Sequence, residues 1–161
     1  MRNVVIIVLL SVLFVLATAG YLPGPVASHF SLNGTANGFM AGPRYTALMI
    51  AVVTLVPLLC AWLGRWVKTL PDDLINLPHK AYWLAPERKA QTLGYLANWL
   101  QWCGIGVAVF LCYLHWVVVQ GNMQTPSQLN PLALYVGLAV ALSAQTFGVI
   151  ALVLRFRRVD S

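Results

Sequence analysis

Between Arg2 and Arg44, and again between Lys89 and Arg155, the chain carries no Asp, Glu, Lys or Arg. A water-soluble domain interrupts its apolar runs with charge at about a quarter of its positions. Here charged residues make up 9% and apolar ones 60%, and the mean hydropathy is +0.76. Both charge-free stretches are long enough to enter a hydrocarbon core about 30 Å thick, which a helix crosses in about 20 residues. The composition therefore excludes a water-soluble globule and predicts an all-α integral membrane protein, a single membrane domain over residues 1–161 built as a bundle of four transmembrane helices. Four such segments leave no room for a separate soluble catalytic domain.

The first span is expected from Val4 to Tyr21, ended by Pro23 and Pro25. Arg2, the apolar run to Leu16 and Ala17-Thr18-Ala19 also have the composition of a cleavable signal peptide. The apolar character continues to Tyr21 and Leu22, so the segment is read as a retained helix. Residues 22–44 form an external loop rich in glycine and proline, with tight-turn signals at Asn33-Gly34 and Asn37-Gly38, which predicts a short hairpin or compact cap outside the lipid. The second span, Tyr45 to Leu63, contains Pro57 and should kink there. Residues 64–92 form a polar, proline-punctuated loop, and Pro86 with Glu87 suits the first turn of a helix running to Val119. After an uncharged loop from Gln120 to Pro131 comes a fourth span, Leu132 to Leu154.

Of the ten Lys and Arg, only Arg44 falls on the side of the first and third loops. The positive-inside rule thus places both termini and the 64–92 loop in the cytoplasm, and Trp62, Trp66, Trp83, Trp99 and Trp102 near that side match an interfacial aromatic belt. The net charge of +6 is explained by this orientation, because the basic residues bracket spans instead of forming a nucleic-acid stripe. Cys60, Cys103 and Cys112 lie within apolar segments and read as buried small residues, with no disulfide framework.

In the first loop, Leu22-Pro23, His29-Phe30, Gly34 and Asn37-Gly38-Phe39 resemble a bacterial membrane domain family of unknown function, and so do Asn76-Leu77-Pro78 and Tyr82-Trp83-Leu84-Ala85-Pro86-Glu87-Arg88 in the second. That family includes the immunity protein against the sporulation-delaying toxin, which also signals by holding a repressor at the membrane. The resemblance covers the first two spans and the start of the third. Ser31 stands where the family often has Asn, Asn37 replaces its usual Asp, and the immunity protein is longer. The resemblance implies a protein of the bacterial cytoplasmic membrane that binds a peptide toxin or a lipid ligand with its external loop, through His29, Phe30, Gly34, Asn37 and Gly38. The cytoplasmic loop would then meet a soluble or membrane protein partner through Tyr82, Trp83, Glu87 and Arg88.

No residue pattern signals catalysis. Asp72, Asp73 and Glu87 accompany no Ser-His-Asp order, phosphate loop or metalloprotease helix, so the expectation is a non-enzymatic protein with neither metal nor cofactor. His29 reads as a residue that bonds loop carbonyls, and His115 as an interfacial anchor beside Trp116. Were those two to adjoin, they would be able to bind a metal or sense pH, although no third ligand stands at zinc spacing. Asn98, Gln101 and Gln145, with Thr54, Ser143 and Thr146, offer either helix-joining hydrogen bonds or a polar track. Ala133, Gly137 and Ala141 form a small-residue stripe for close helix approach, and Pro57, Gly104 and Gly106 are candidate weak points of the bundle. A small transporter, or an accessory subunit of a membrane complex, is the alternative reading.

Overall fold

The structure, a computed structural model, describes residues 1–158. Among the described residues four helices are long and apolar enough to cross a membrane. They are α1 (Arg2–Thr18), α2 (Gly42–Trp66), α4 (Pro86–Asn122) and α5 (Pro131–Arg157), with a one-turn helix α3 (Lys80–Trp83) in the second loop. The last three spans open on or beside a proline, Pro43, Pro86 and Pro131, where the missing N–H costs nothing. Asn130 caps α5, its side chain accepting from the Ala133 amide at 3.2 Å. Helix α4 has 37 residues and is about 55 Å long, more than a bilayer core requires.

The all-α expectation needs one correction, since the first loop folds as the predicted hairpin. Strands β1 (Pro25–Phe30) and β2 (Ala36–Ala41) pair antiparallel. An irregular loop beside lipid would leave backbone polar groups unpaired, and strand pairing satisfies them locally. Asn33-Gly34 makes the turn. Ser31 N–H donates to Thr35 O at 2.9 Å, Thr35 N–H donates to the Asn33 side chain at 3.1 Å, and Gly34 takes φ of +87°. Asn37-Gly38, by contrast, is no turn. It lies inside β2 at a register irregularity, where Gly38 faces His29 so closely that an added Cβ would sit 3.0 Å from the His29 Cβ.

Burial follows helix geometry more closely than apolarity. On α1 the buried residues are Val4, Val8, Ser11, Val15 and Thr18, a seam at alternating spacings of four and three. Equally apolar Leu9, Leu10, Leu13 and Leu16 stay exposed on the other face, where lipid is as good a neighbour as protein. The α4 seam runs through Ala97, Gly104, Ala108, His115, Val119 and Asn122. Small residues on it let α2 come close: Gly64 packs on the Ala97 backbone, and Gly104 lies under Pro57 and Cys60. Helix α2 continues through the buried Pro57, and Pro57 and Gly104 meet at one crossing point of the two helices. Cys60, Cys103 and Cys112 are free thiols, and each is half-buried where full burial was expected.

Helix α5 buries only Phe156. Side-chain hydrogen bonds to backbone carbonyls tie it to the rest along its length: Tyr113 OH to Ala133 O at 2.6 Å, Gln145 Nε2 to Cys103 O at 3.2 Å, Trp99 Nε1 to Gly148 O at 3.2 Å and Trp83 Nε1 to Phe156 O at 2.9 Å. The small-residue stripe is used inside the bundle. Gly137 receives the ring of Tyr113, and any side chain there would overlap it.

Candidate functional site

The hairpin is fastened to the bundle by one buried side chain. Asn122, at the end of α4, accepts from the Ala27 amide at 2.7 Å and donates to the Ala27 carbonyl at 2.9 Å, as a neighbouring strand would. Its second amide hydrogen goes to Val118 O at 2.9 Å. Around this clamp Val26, Tyr45, Val117, Val118 and Leu129 form an apolar core, against which Phe30 and Met40 pack. The hairpin tip docks on the third loop, where Leu129 N–H donates to Gly34 O at 2.9 Å and Thr35 pairs with Gln128. Gly34 is needed twice over, for its positive φ and because a Cβ would overlap the Leu129 carbonyl.

Beneath the hairpin lies a polar triad that the sequence did not reveal. His115, expected at the interface, is wholly buried. Its Nε2 is 2.7 Å from Thr18 Oγ1 and its Nδ1 is 3.1 Å from the Tyr45 hydroxyl. Thr18 Oγ1 also lies 2.7 Å from Phe14 O and 3.2 Å from Val15 O; with its one proton on either carbonyl it accepts from His115 Nε2–H. The Tyr45 hydroxyl then donates to Nδ1, and a neutral imidazole uses every proton of the three side chains. The Tyr45 ring stacks on the imidazole at 5.7 Å, and Phe14 meets its edge at 5.9 Å. His115 thus joins α1, α2 and α4 directly under the cap. Both of its nitrogens are engaged there, and among the described residues no group of three His, Cys, Asp or Glu side chains converges as a metal site.

The five candidates of the first loop divide by exposure. His29 and Asn37 are exposed, Gly38 makes room for the His29 ring, Phe30 faces the cap core, and Gly34 is buried in the turn. The His29 Nδ1 lies 3.1 Å from Ser28 Oγ and is not bonded to loop carbonyls. Phe39 and Leu32, 58% and 85% exposed, add apolar surface to this cap. Beside it, between the end of α4 and the start of α5, is a cavity of about 670 Å³ lined by Gln120, Gln124, Gln128, Asn130, Tyr113 and Trp116 among others. Its polar groups are chiefly carboxamides, able to donate and accept, and among the described residues no charged side chain lines it.

At the opposite end of the bundle, Tyr82, Trp83 and Arg88 are brought together, while Glu87 stands exposed on the first turn of α4. Arg88 lies 3.8 Å over the Tyr82 ring, and its Nε donates to Tyr82 O at 3.0 Å. Trp83 packs edge-on against Phe156 at 5.2 Å, and Tyr95 does so at 5.9 Å. The sequence suggested Tyr82 and Trp83 as aromatic anchors for a partner at the membrane surface, and Trp83 is also part of the joint that holds the end of α5. Lys89 and Asp72 make an ion pair at 2.8 Å.

Gln145 lines an apolar cleft of about 380 Å³ between α4 and α5, which also includes Trp102, Leu138 and Leu142 from the exposed flank. Its carboxamide is already bonded across the helices, as a residue joining them would be.

Comparison with known proteins bears on the hairpin end. The family described as Domain of unknown function (DUF1648) matches residues 6–55, which span most of α1, the whole hairpin and the first half of α2. No curated protein and no solved structure matches the chain. The matched residues include Thr18, the clamped strand and Tyr45, so the chain is similar to an uncharacterised domain family over the elements that support the cap.

Proposed function

We propose that this protein is a non-enzymatic receptor of the bacterial cytoplasmic membrane, acting in immunity or envelope signalling by recognising a secreted peptide at the hairpin cap. The basic side, with both termini and the 64–92 loop, is cytoplasmic, because nine of the ten cationic residues lie there, Arg44 alone excepted. The cap then faces outward. His29, Asn37 and Phe39 supply its exposed surface, and the adjoining carboxamide cavity suits uncharged peptide groups, which donate and accept as carboxamides do.

One observation carries the reading: a single helix, α4, bears the Asn122 clamp at its outer end and Arg88 at its inner end. A ligand that moves the hairpin therefore acts on an element that continues to the Tyr82–Trp83 cluster, where a soluble or membrane partner would sense the change. Differential affinity of the ligand for two arrangements of this helix is what such a mechanism requires.

The test is photocrosslinking in intact cells from a reactive residue at Ser28, beside His29, with His29→Ala as control. The expected result is a specific secreted peptide, lost in the control. Capture of membrane subunits alone, unchanged by the substitution, would transfer support to the accessory-subunit reading. The small-transporter reading draws on the cleft beside Gln145, and predicts substrate uptake that Gln145→Leu abolishes.

A further inference from the structure

At the basic end, the structure draws together arginines that are remote in sequence. A cleft of about 640 Å³ is lined by Arg88, Arg155, Arg158, Tyr82, Trp83 and Gln91, with Ala151 and Leu154 of α5 continuing along its apolar side. No acidic side chain lines it among the described residues. Glu87 is exposed outside the lining, and Asp72 is taken by Lys89.

Two of the guanidinium groups are held in place. Arg88 stacks on Tyr82, and Arg155 lies 4.1 Å over the ring of Tyr95. The Arg88 Nε is bonded to Tyr82 O, which leaves its two terminal amino groups free to form a fork. A stacked guanidinium keeps its in-plane donors, and an oxyanion with several oxygens matches that fork bidentately. Phe156 fixes the spacing of the group. It is 1% exposed, wedged between Trp83 and Tyr95, so the end of α5 cannot swing its arginines away from α4.

We infer that this cleft binds the phosphodiester headgroup of an anionic membrane lipid, with Arg88 and Arg155 as its principal ligands. The position selects a lipid over a soluble anion. Arg155 follows directly on the apolar run Leu152-Val153-Leu154 of α5, and Val153 and Leu154 are exposed on the helix surface. A headgroup in the cleft therefore leaves its acyl chains beside Ala151 and Leu154, on the hydrocarbon side of the arginines. A basic cleft between membrane helices at headgroup level is a recurrent setting for phosphate-bearing lipids.

The test uses the purified full chain in detergent, with lipid retention read by native mass spectrometry. The probes are phosphatidylglycerol, an uncharged diacylglycerol of the same acyl composition, and inorganic phosphate as competitor. Phosphatidylglycerol should be retained about tenfold more than diacylglycerol, and Arg88→Gln with Arg155→Gln should lower that retention by about tenfold or more. Arg65→Gln with Arg157→Gln removes the same charge outside the cleft and should leave retention unchanged. Arg88→Lys with Arg155→Lys keeps the charge but loses the stacked fork, and should fall between the two. Equal losses in the cleft and control variants would overturn the inference, as would retention that the cleft variants leave intact. Full displacement of the lipid by millimolar phosphate would do the same, by making the cleft a site for soluble anions.

Discussion

Replacing Asn122 by Leu keeps the branching and number of heavy atoms of the side chain and removes the clamp between α4 and the hairpin. The Ala27 amide and carbonyl then lose their partners in a place where Ala27 has no solvent exposure. Each orphaned backbone group costs about 1–3 kcal/mol. The bond to Val118 O adds little, because that carbonyl is within α4 and keeps its helical role. Water entering the loosened edge recovers part of the loss, which leaves about 2–4 kcal/mol for docking of the hairpin. In hydrogen exchange that difference corresponds to roughly 30-fold to 1,000-fold less protection.

The assay is exchange measured by mass spectrometry on the full chain in lipid nanodiscs, following peptides that cover β1. Protection in the middle of α2 should be unchanged, which separates local release of the cap from loss of the bundle. Asn37→Ala, an exposed change on β2, should leave β1 protection as it was. If Asn122→Leu alters β1 protection by less than about threefold, the apolar core around Val26 and Leu129 holds the hairpin without the clamp. The clamp would then lose its place as the link between cap and α4, and the apolar contacts of Val117 and Val118 would be that link.

Two further substitutions test neighbouring parts of the same structure. Gly34→Ala places a Cβ against the Leu129 carbonyl at a positive φ, and should destabilise the cap by about 2 kcal/mol or more, whereas Gly24→Ala meets nothing within 4 Å and should be neutral. Thermal unfolding in detergent, followed by proteolytic sensitivity of the hairpin, distinguishes them. His115→Phe keeps the ring but strips partners from Thr18 and Tyr45, and should lower stability by about 1–3 kcal/mol. Under the same conditions His29→Ala, on an exposed ring, should leave the melting temperature unchanged.

The spans were legible because a bilayer imposes length and apolarity on any helix that crosses it, and Pro86 marked where the third of them begins, whereas Pro43 and Pro131, read as loop residues, also lie in first turns. The hairpin turn was legible for a different reason: Asn33-Gly34 has few other uses. Asn37-Gly38 carried the same local signal and failed, because closing the hairpin at residues 31–35 put it in a strand, where its glycine makes room for His29. Local chemistry offered two turns, and pairing selected one.

The faces of the helices were harder to read, since in lipid both the buried and the exposed sides of a helix are apolar. What separates them on α1 is the placement of Ser11 and Thr18 on the Val4–Val8–Val15 seam, and on α4 the shared seam of Gly104, Ala108, His115 and Asn122. On these two seams small and polar residues mark the packed face, although Asn98 of α4 and Ser143 and Thr146 of α5 are exposed. By that rule His115 and Asn122 belong inside, although each looks interfacial from its neighbours Trp116 and Gln120. Their partners lie on α1, α2 and β1, about a hundred positions away in the chain for Thr18 and Ala27, and no local pattern encodes such distances. The same holds for Arg88 and Arg155, whose separate sequence contexts explain membrane orientation and whose common cleft is made only when Phe156 docks between Trp83 and Tyr95. In a chain with so few polar groups inside it, these few contacts decide where the hairpin and the final helix sit, and so they set the geometry of both ends.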